Sequence, residues 1–155
     1  MDALEVDLSE LWGMATGGFA LGLGSLHGPD HWQRVERNAL LIAPHSGANI
    51  LVVRLFAVLH DSMRLGEGHD PEHGQRAADW ARELREARRF DFFLSDAQFS
   101  ILQQACIEHD KGLVSQDPTI GTCWDADRLD LLRVGIAPAA RLMSTGKGKL
   151  LIRGE

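Results

Sequence analysis

The feature that most constrains this chain is a stretch that is apolar on nearly every side and ends in two strong ligand groups. Residues 48–61 read ANILVVRLFAVLHD, with Arg54 as the one charge before His60 and Asp61. A segment that is apolar all round predicts a helix at the centre of the fold, although its β-branched residues leave a buried strand open. In either conformation, the segment carries His60 and Asp61 into the interior.

Five further segments have the apolar spacing or the end signals of helices. Asp70 followed by Pro71 is a typical helix start, as is Ser95, because a short polar side chain caps free N–H groups and proline fits the first turn. Asp30, followed three residues later by Gln33, predicts another start. The helices are predicted over 31–43, 70–90, 95–110, 125–135 and 137–144, with a turn at 44–47 and a tail at 145–155 that is either frayed or a short strand.

These segments together predict an all-α fold, a single compact helical bundle. Strand signals are almost absent, and no repeat or long linker divides the chain. A length of 155 residues suits one domain with one core, and a hydrophobic content of 45% is typical of a soluble globular protein. We therefore expect residues 1–155 to form one domain.

Charge and composition limit the partners. The net charge of −6 argues against a broad grip on a nucleic acid polymer but permits a small anionic substrate at a metal site. The apolar segment 13–24 is too short and glycine-rich to span a membrane, and acidic residues precede it, unlike a signal peptide. It packs either on its own core or on a second copy, so a homo-oligomer stays open. Cys106 and Cys123 are too few for a disulfide framework, which favours a cytoplasmic location.

Candidate metal ligands stand on, or at the end of, separate predicted helices. A helical bundle can gather such inward-facing groups in its core. All of them are nitrogen or oxygen donors, which suit Mn, Fe, Ni, Co or Mg better than a metal selected by thiolates, and Zn also accepts such ligands. The candidates are His31, His60, Asp61, His73, His109 and Asp127.

The order of these residues resembles a known family. The pieces are H-x-x-R-V at 31–35, the His-Asp pair at 60–61, EHG at 72–74, a histidine at 109 and DADRLD at 125–130. This series is similar to the HD superfamily, which comprises all-α metal-dependent phosphohydrolases named for the adjacent His and Asp. The residues within and around these motifs resemble those of a small bacterial branch of the superfamily. The likeness covers about residues 27–136, which leaves 137–155 as a C-terminal helix and tail.

The resemblance implies which residues bind metal. The family's four-ligand set falls by position on His31, His60, Asp61 and Asp127. Asp127 is preferred to Asp125 or Asp130 because the last ligand of the family is the Asp of an Ala-Asp pair. His73 and His109 match positions that bind a second ion in two-metal members or assist catalysis in one-metal members. Their joint presence favours two divalent ions bridged by Asp61.

The resemblance also implies a mechanism, in which a metal-bound water attacks phosphorus and the ions stabilise the charge on the phosphoryl oxygens. Arg64 and Arg128, each within one turn of a ligand, are predicted to bind the phosphate, with His27 as pocket lining or proton relay. Arg34 is expected to pair with a carboxylate. Asp110, Asp125 and Asp130 are expected to be caps or exposed carboxylates. The predicted catalytic residues are Asp61, His73 and His109.

Three functions fit this pattern. The leading one is a phosphohydrolase acting on a nucleotide or another small phosphate ester. The second is a diiron oxygenase of the same superfamily that cleaves a C–C or C–P bond. Such a site needs additional groups to position its substrate, and the absence of tyrosine from this chain argues weakly against it. The third is a metal-binding sensor module without turnover. Loops 62–72 and 111–122 are expected to recognise the substrate and to cover the pocket.

Overall fold

The apolar segment forms the helix around which the others pack. In a computed structural model, which describes residues 2–155, it becomes the helix Ile50–Leu59, and eight of its ten residues are buried. The Asn49 side chain caps it by accepting a hydrogen bond of 3.0 Å from the backbone N–H of Val52. The strand alternative is therefore wrong, because this segment satisfies its backbone hydrogen bonds within itself.

Across residues 2–155 the chain forms seven α-helices, two 3-10 helices and no strand, so the all-α prediction is confirmed. The 3-10 helices are Leu129–Val134 and Ala140–Leu142. The α-helices are α1 (Ser9–Gly18), α2 (Pro29–Ser46), α3 (Ile50–Leu59), α4 (His73–Glu86), α5 (Asp96–Glu108), α6 (Pro118–Arg128) and α7 (Gly146–Ile152).

The bundle surrounds α3. Helices α2, α5 and α6 pack against α3, while α4 lies mainly on α5. Helix α1 covers the remaining side of α3 with the buried residues Leu11 and Ala15, and Phe19 meets the Trp32 ring edge-on. Within the apolar segment 13–24, Ala15 and Phe19 thus pack on the chain's own core, whereas Leu23 is exposed. No helix of residues 2–155 combines the length and the apolar character that crossing a bilayer requires.

Two predicted helix starts are shifted, and α2 ends later than predicted. Gly28 precedes α2 and Pro29 takes its first position, so Asp30 lies inside the first turn and does not cap it. The helix runs through the predicted turn at 44–47 and ends where Gly47 adopts a φ of 80°. Helix α4 begins at His73 because the Asp70 carboxylate is already bound to the Leu65 N–H and the Arg76 guanidinium.

The last third of the chain is more helical than predicted. Helix α6 begins at Pro118, seven residues before the predicted start, because Asp117 caps the N–H groups of Thr119 and Ile120. It gives way to the 3-10 helix Leu129–Val134, which Gly135 terminates, and the predicted helix 137–144 shrinks to the 3-10 turn Ala140–Leu142.

The tail forms a helix, neither frayed nor a strand. Asp125, expected as a cap or an exposed carboxylate, is buried and accepts hydrogen bonds from the Ser144 N–H and from the N–H and hydroxyl of Thr145. Thr145 in turn caps α7 by accepting the Gly148 N–H. These contacts fix α7 to α6 through a side chain that the sequence pattern does not identify as buried.

A close approach of α4 and α5 generates a stability prediction. A Cβ atom at Gly74 would overlap the carbonyl oxygen of Cys106 in α5. We expect Gly74→Ala to lower the free energy of unfolding by about 1–3 kcal/mol, because two packed backbones must separate. Urea denaturation measures this change. The matched control is Gly13→Ala in α1, where an added Cβ meets nothing within 4 Å and should stabilise by about 0.5–1 kcal/mol. Equal effects of the two substitutions would contradict the close packing of α4 on α5.

Candidate metal centre

Two clusters of histidine and aspartate side chains lie at the centre of the bundle. Within each cluster, the potential ligand atoms all lie within 4.8 Å of one another, so each cluster could hold a metal ion. The six residues are the six predicted from the sequence. The first cluster is His31, His60 and Asp127, and the second cluster is Asp61, His73 and His109.

Helix ends bring these groups together. His31 lies in the first turn of α2, and His73 is the first residue of α4. His60 directly follows α3, as His109 follows α5. The four imidazoles are between 0% and 4% exposed. Because each histidine lies at a helix terminus, its side chain reaches the centre while the helix body packs around it.

The first cluster has the spacing of a coordination shell. The Nε2 atoms of His31 and His60 lie 3.1 Å apart, and they lie 3.1 and 3.4 Å, respectively, from Oδ1 of Asp127. Metal–ligand bonds of about 2.1 Å in tetrahedral or octahedral geometry place neighbouring ligand atoms about 3.0–3.4 Å apart. A divalent ion therefore fits between these three side chains.

The second cluster repeats this arrangement. The Nε2 atoms of His73 and His109 lie 2.9 Å apart, and they lie 3.0 and 3.3 Å, respectively, from Oδ1 of Asp61. The other carboxylate oxygen of Asp61, Oδ2, lies 3.3 Å from Nε2 of His31 and 3.6 Å from Nε2 of His60. Asp61 therefore offers one oxygen to each cluster, which is the arrangement of a bridging carboxylate.

Hydrogen bonds at Nδ1 set the tautomer of all four histidines. Each Nδ1 lies beside an oxygen atom, so the neutral ring carries its proton there and leaves the Nε2 lone pair free. The oxygen partners are Asp130 Oδ2 for His31 at 2.6 Å, the carbonyls of Phe56 and Ala57 for His60 at 3.1 and 3.0 Å, the Asp70 carbonyl for His73 at 2.5 Å, and the Cys106 carbonyl for His109 at 2.7 Å.

The free Nε2 lone pairs then face each other. His31 meets His60 and His73 meets His109, each pair at hydrogen-bond distance, and when both rings of a pair are neutral there is no donor between them. Such a contact is repulsive unless a proton or a cation lies between the nitrogens. The arrangement is therefore the one that a metal-binding histidine set requires, with each imidazole oriented by an oxygen atom on the side away from the other ring.

The charges of the two clusters favour a cation between the ligand atoms. Burial alone would raise the pKa of Asp61 and Asp127, but the surrounding imidazoles hold both pKa values well below the usual range. Burial lowers the pKa of His60. Burial also opposes the charged form of His31, yet hydrogen bonds to the surrounding carboxylates raise its pKa to about 10. The carboxylates are thus ionised, and the position between them favours a positive charge.

Asp130 contacts the first cluster, a position that the sequence pattern does not identify. Expected as a cap or an exposed carboxylate, it is buried and accepts the Nδ1–H of His31, while Arg34 donates to it at 2.8 Å. Arg34 thus pairs with a carboxylate, as predicted. The available signal was the i+3 spacing of Asp130 from Asp127 and of Arg34 from His31, which puts each on the same helix face as its ligand.

A cavity of about 290 Å³ opens beside the second cluster. The predicted substrate-binding residues His27, Arg64 and Arg128 all line it. Arg133, which no sequence motif identifies, lines it as well. Gly112 of the predicted recognition loop 111–122 also lines it. A larger cavity of about 460 Å³ beside residues 90–94 contains none of the predicted site residues. The remaining lining residues of the smaller cavity are Asp61, His109, Asp110, Asp127, Leu131 and Val134.

Comparison with known proteins adds no relative: no family model, curated protein or solved structure matches this chain.

The hydrogen bond between Asp130 and His31 generates a prediction about metal affinity. The negative charge of Asp130 orients His31 and makes its imidazole a more basic metal ligand. Asp130→Asn removes this charge, so we expect the dissociation constant for Mn²⁺ to rise about 10–100-fold. Calorimetric titration of the metal-depleted protein measures this change. Asp79→Asn, which alters a partly exposed carboxylate paired with Arg82, is the matched control. Equal affinities of Asp130→Asn and the unmodified chain would contradict the orienting role.

Proposed function

We propose that the chain is a metal-dependent phosphohydrolase of the HD type, acting on a small phosphate ester. The observation that carries this proposal is the position of Asp61, whose two carboxylate oxygens each face a pair of imidazole Nε2 atoms. A carboxylate shared by two imidazole pairs supports a centre of two divalent ions, for which Fe, Mn, Ni, Co, Mg and Zn are the candidates. The other ligand carboxylate is Asp127.

Bound at these residues, divalent ions would supply the positive charge that activates water and stabilises phosphoryl oxygens. The chain contributes the neutral lone pairs of four histidines and two ionised carboxylates, so a centre with two divalent ions retains positive charge. A positively charged centre favours an anionic substrate. The residues in the proposed catalytic role are Asp61, His73 and His109.

Two arginines support a phosphoryl substrate. Nη2 of Arg128 is buried without a hydrogen-bond acceptor, and the nearest carboxylate oxygen to the buried Nε of Arg64, Oδ1 of Asp61, lies 3.6 Å away, beyond hydrogen-bond distance; both residues line the cavity beside the clusters. A buried donor without a partner costs about 1–3 kcal/mol, and more when it is charged. Phosphate oxygens are the acceptors that guanidinium groups match best. A phosphate ester in this cavity would satisfy both donors.

Both guanidinium groups are already oriented by the backbone. Arg64 donates to the carbonyls of Gly66 and Gly68 at 3.2 and 2.9 Å, and Arg128 donates to the Leu142 carbonyl at 2.6 Å. Fixed donors lose little conformational entropy when a ligand binds. This preorganisation supports a role in positioning the phosphoryl group rather than a purely structural role.

His27 is suited to orient water or relay a proton. Its Nε2–H donates to the Glu67 carbonyl at 3.1 Å, which leaves the Nδ1 lone pair 3.6 Å from Oδ2 of Asp61 at the cavity wall. Hydrolysis forms a bond between a water oxygen and phosphorus, breaks the bond to the leaving oxygen, and transfers a proton to that oxygen. Nδ1 of His27 can accept a hydrogen bond from water during this step.

The diiron oxygenase and the metal-binding sensor module would use the same six ligands, but a C–C-cleaving oxygenase has no use for two arginines in the cavity wall. A phosphonate substrate of a C–P-cleaving oxygenase would also pair with these arginines, so the dependence of turnover on iron and oxygen separates that function from the hydrolase. We also propose a cytoplasmic location, which the buried and unpaired thiols of Cys106 and Cys123 support.

Phosphate release tests the proposed function. We expect the Mn²⁺-loaded protein to release phosphate from small phosphate esters without oxygen. Arg64→Gln should lower kcat/KM by about 10–100-fold at unchanged metal content, because one charge-assisted hydrogen bond is lost. The matched control is Arg82→Gln, which alters a half-exposed arginine on α4. Product formation only with iron and oxygen would favour the oxygenase, and metal binding without turnover would favour the sensor module.

A further inference from the structure

A third arginine lines the cavity next to His27. The Arg133 side chain is 10% exposed and is fixed by two backbone carbonyls, with Nε donating to Leu26 at 2.8 Å and Nη1 to Asp130 at 2.9 Å. Its Nη2 atom has only a long contact of 3.5 Å with Nδ1 of His27. The N–H groups of this nitrogen therefore have no acceptor at normal hydrogen-bond distance within the protein.

The three guanidinium groups share one property. Each is held by backbone carbonyls through one or two of its nitrogens and keeps another nitrogen with a weak partner or none. The weakly paired nitrogen of Arg64 is Nε, 3.6 Å from Oδ1 of Asp61, and that of both Arg128 and Arg133 is Nη2. Three oriented cationic donors at one cavity match a group with several anionic oxygens.

We infer that Arg64, Arg128 and Arg133 form a site for a terminal, dianionic phosphoryl group, so that the substrates are phosphomonoesters and not phosphodiesters. This inference rests on the proposed function and specifies its substrate class. A monoester presents three terminal oxygens and two negative charges, whereas a diester presents two terminal oxygens and one charge. Only the monoester offers an oxygen to each of three guanidinium groups while also facing the metal centre.

The charge of the cavity wall strengthens this selection. The three arginines are balanced by three carboxylates in the lining, those of Asp61, Asp110 and Asp127. Bound divalent ions would therefore leave a net positive charge, which attracts a dianion more strongly than a monoanion. Binding of the phosphoryl group should consequently depend on metal binding.

The size and the apolar part of the cavity restrict the organic group. A volume of about 290 Å³ lies at the lower limit for pockets that enclose drug-sized ligands, about 300–1,000 Å³. Leu131 and Val134 are its aliphatic lining residues. The cavity therefore suits a phosphate carrying one ring or a short chain, and it is too small to enclose an oligomeric substrate.

A pair of unreactive ligands tests this inference by binding rather than by turnover. Phenylphosphonate in its dianionic form has three terminal oxygens and no ester bond, and its monomethyl ester keeps the phenyl group but has two terminal oxygens. Calorimetric titration of the Mn²⁺-saturated protein without oxygen gives both affinities. We expect phenylphosphonate to bind at least about tenfold more tightly, because the dianion engages one more charged donor.

Substitutions at Arg133 link this preference to the side chain. Arg133→Gln should weaken phenylphosphonate binding by about tenfold or more and leave the ester little changed, since a charge-assisted contact is lost only for the dianion. Arg133→Lys, which keeps the charge but not the forked geometry, should recover part of the preference. Arg37→Gln, on the exposed side of α2, is the control. Metal stoichiometry and thermal unfolding are measured for every variant.

The outcomes separate this inference from the proposed function. Equal affinities of the unmodified protein for the two ligands would overturn the inference, as would an unchanged preference in folded, metal-loaded Arg133→Gln. If the preference is present and depends on Arg133 but no phosphate ester is hydrolysed, the phosphoryl site stands and the hydrolase does not. If diesters are hydrolysed as readily as monoesters, the hydrolase stands and the monoester selection is lost.

Discussion

The structure depends on the convergence of four imidazoles and two ionised carboxylates in the interior of the bundle, beside a cavity. Buried charges and unpaired acceptors are costly unless a partner compensates them. The chain nevertheless places His31, His60, His73 and His109 with their Nε2 atoms in two facing pairs. A divalent cation at each pair would convert this unfavourable arrangement into a favourable one, so the core geometry is suited to metal binding.

The helical framework supplies this geometry through its termini. The last carbonyls of a helix lack intrahelical partners. Those of Ala57 in α3 and Cys106 in α5 accept the Nδ1–H of His60 and His109, and the Phe56 carbonyl, which already accepts the His60 N–H, shares the contact with His60. One hydrogen bond thereby completes the helix end and orients the ligand. Asp130 performs the orienting role for His31, with Arg34 holding the carboxylate in place. The helix ends and the metal centre are thus built from the same contacts.

Much of this was predictable from local signals, and the remainder depends on tertiary contacts. The all-round apolar character of residues 48–61 predicts α3, and the ordered series of histidines and aspartates predicts all members of both clusters. The roles of Asp125 and Asp130 were missed, because burial of a carboxylate depends on distant partners such as Thr145 and His31. The start of α6 at Pro118 differs from the predicted start, although Asp117 followed by Pro118 is the same helix-start signal as Asp70 followed by Pro71.

The most direct test of the two-ion centre is anomalous X-ray diffraction from crystals of the chain grown with Mn²⁺. The central claim predicts two anomalous peaks, one on each side of the Asp61 carboxylate, within bonding distance of the imidazole pairs His31/His60 and His73/His109. A single peak would contradict the shared carboxylate. Saturating Mn²⁺ with no peak near Asp61 would contradict metal binding at this site altogether.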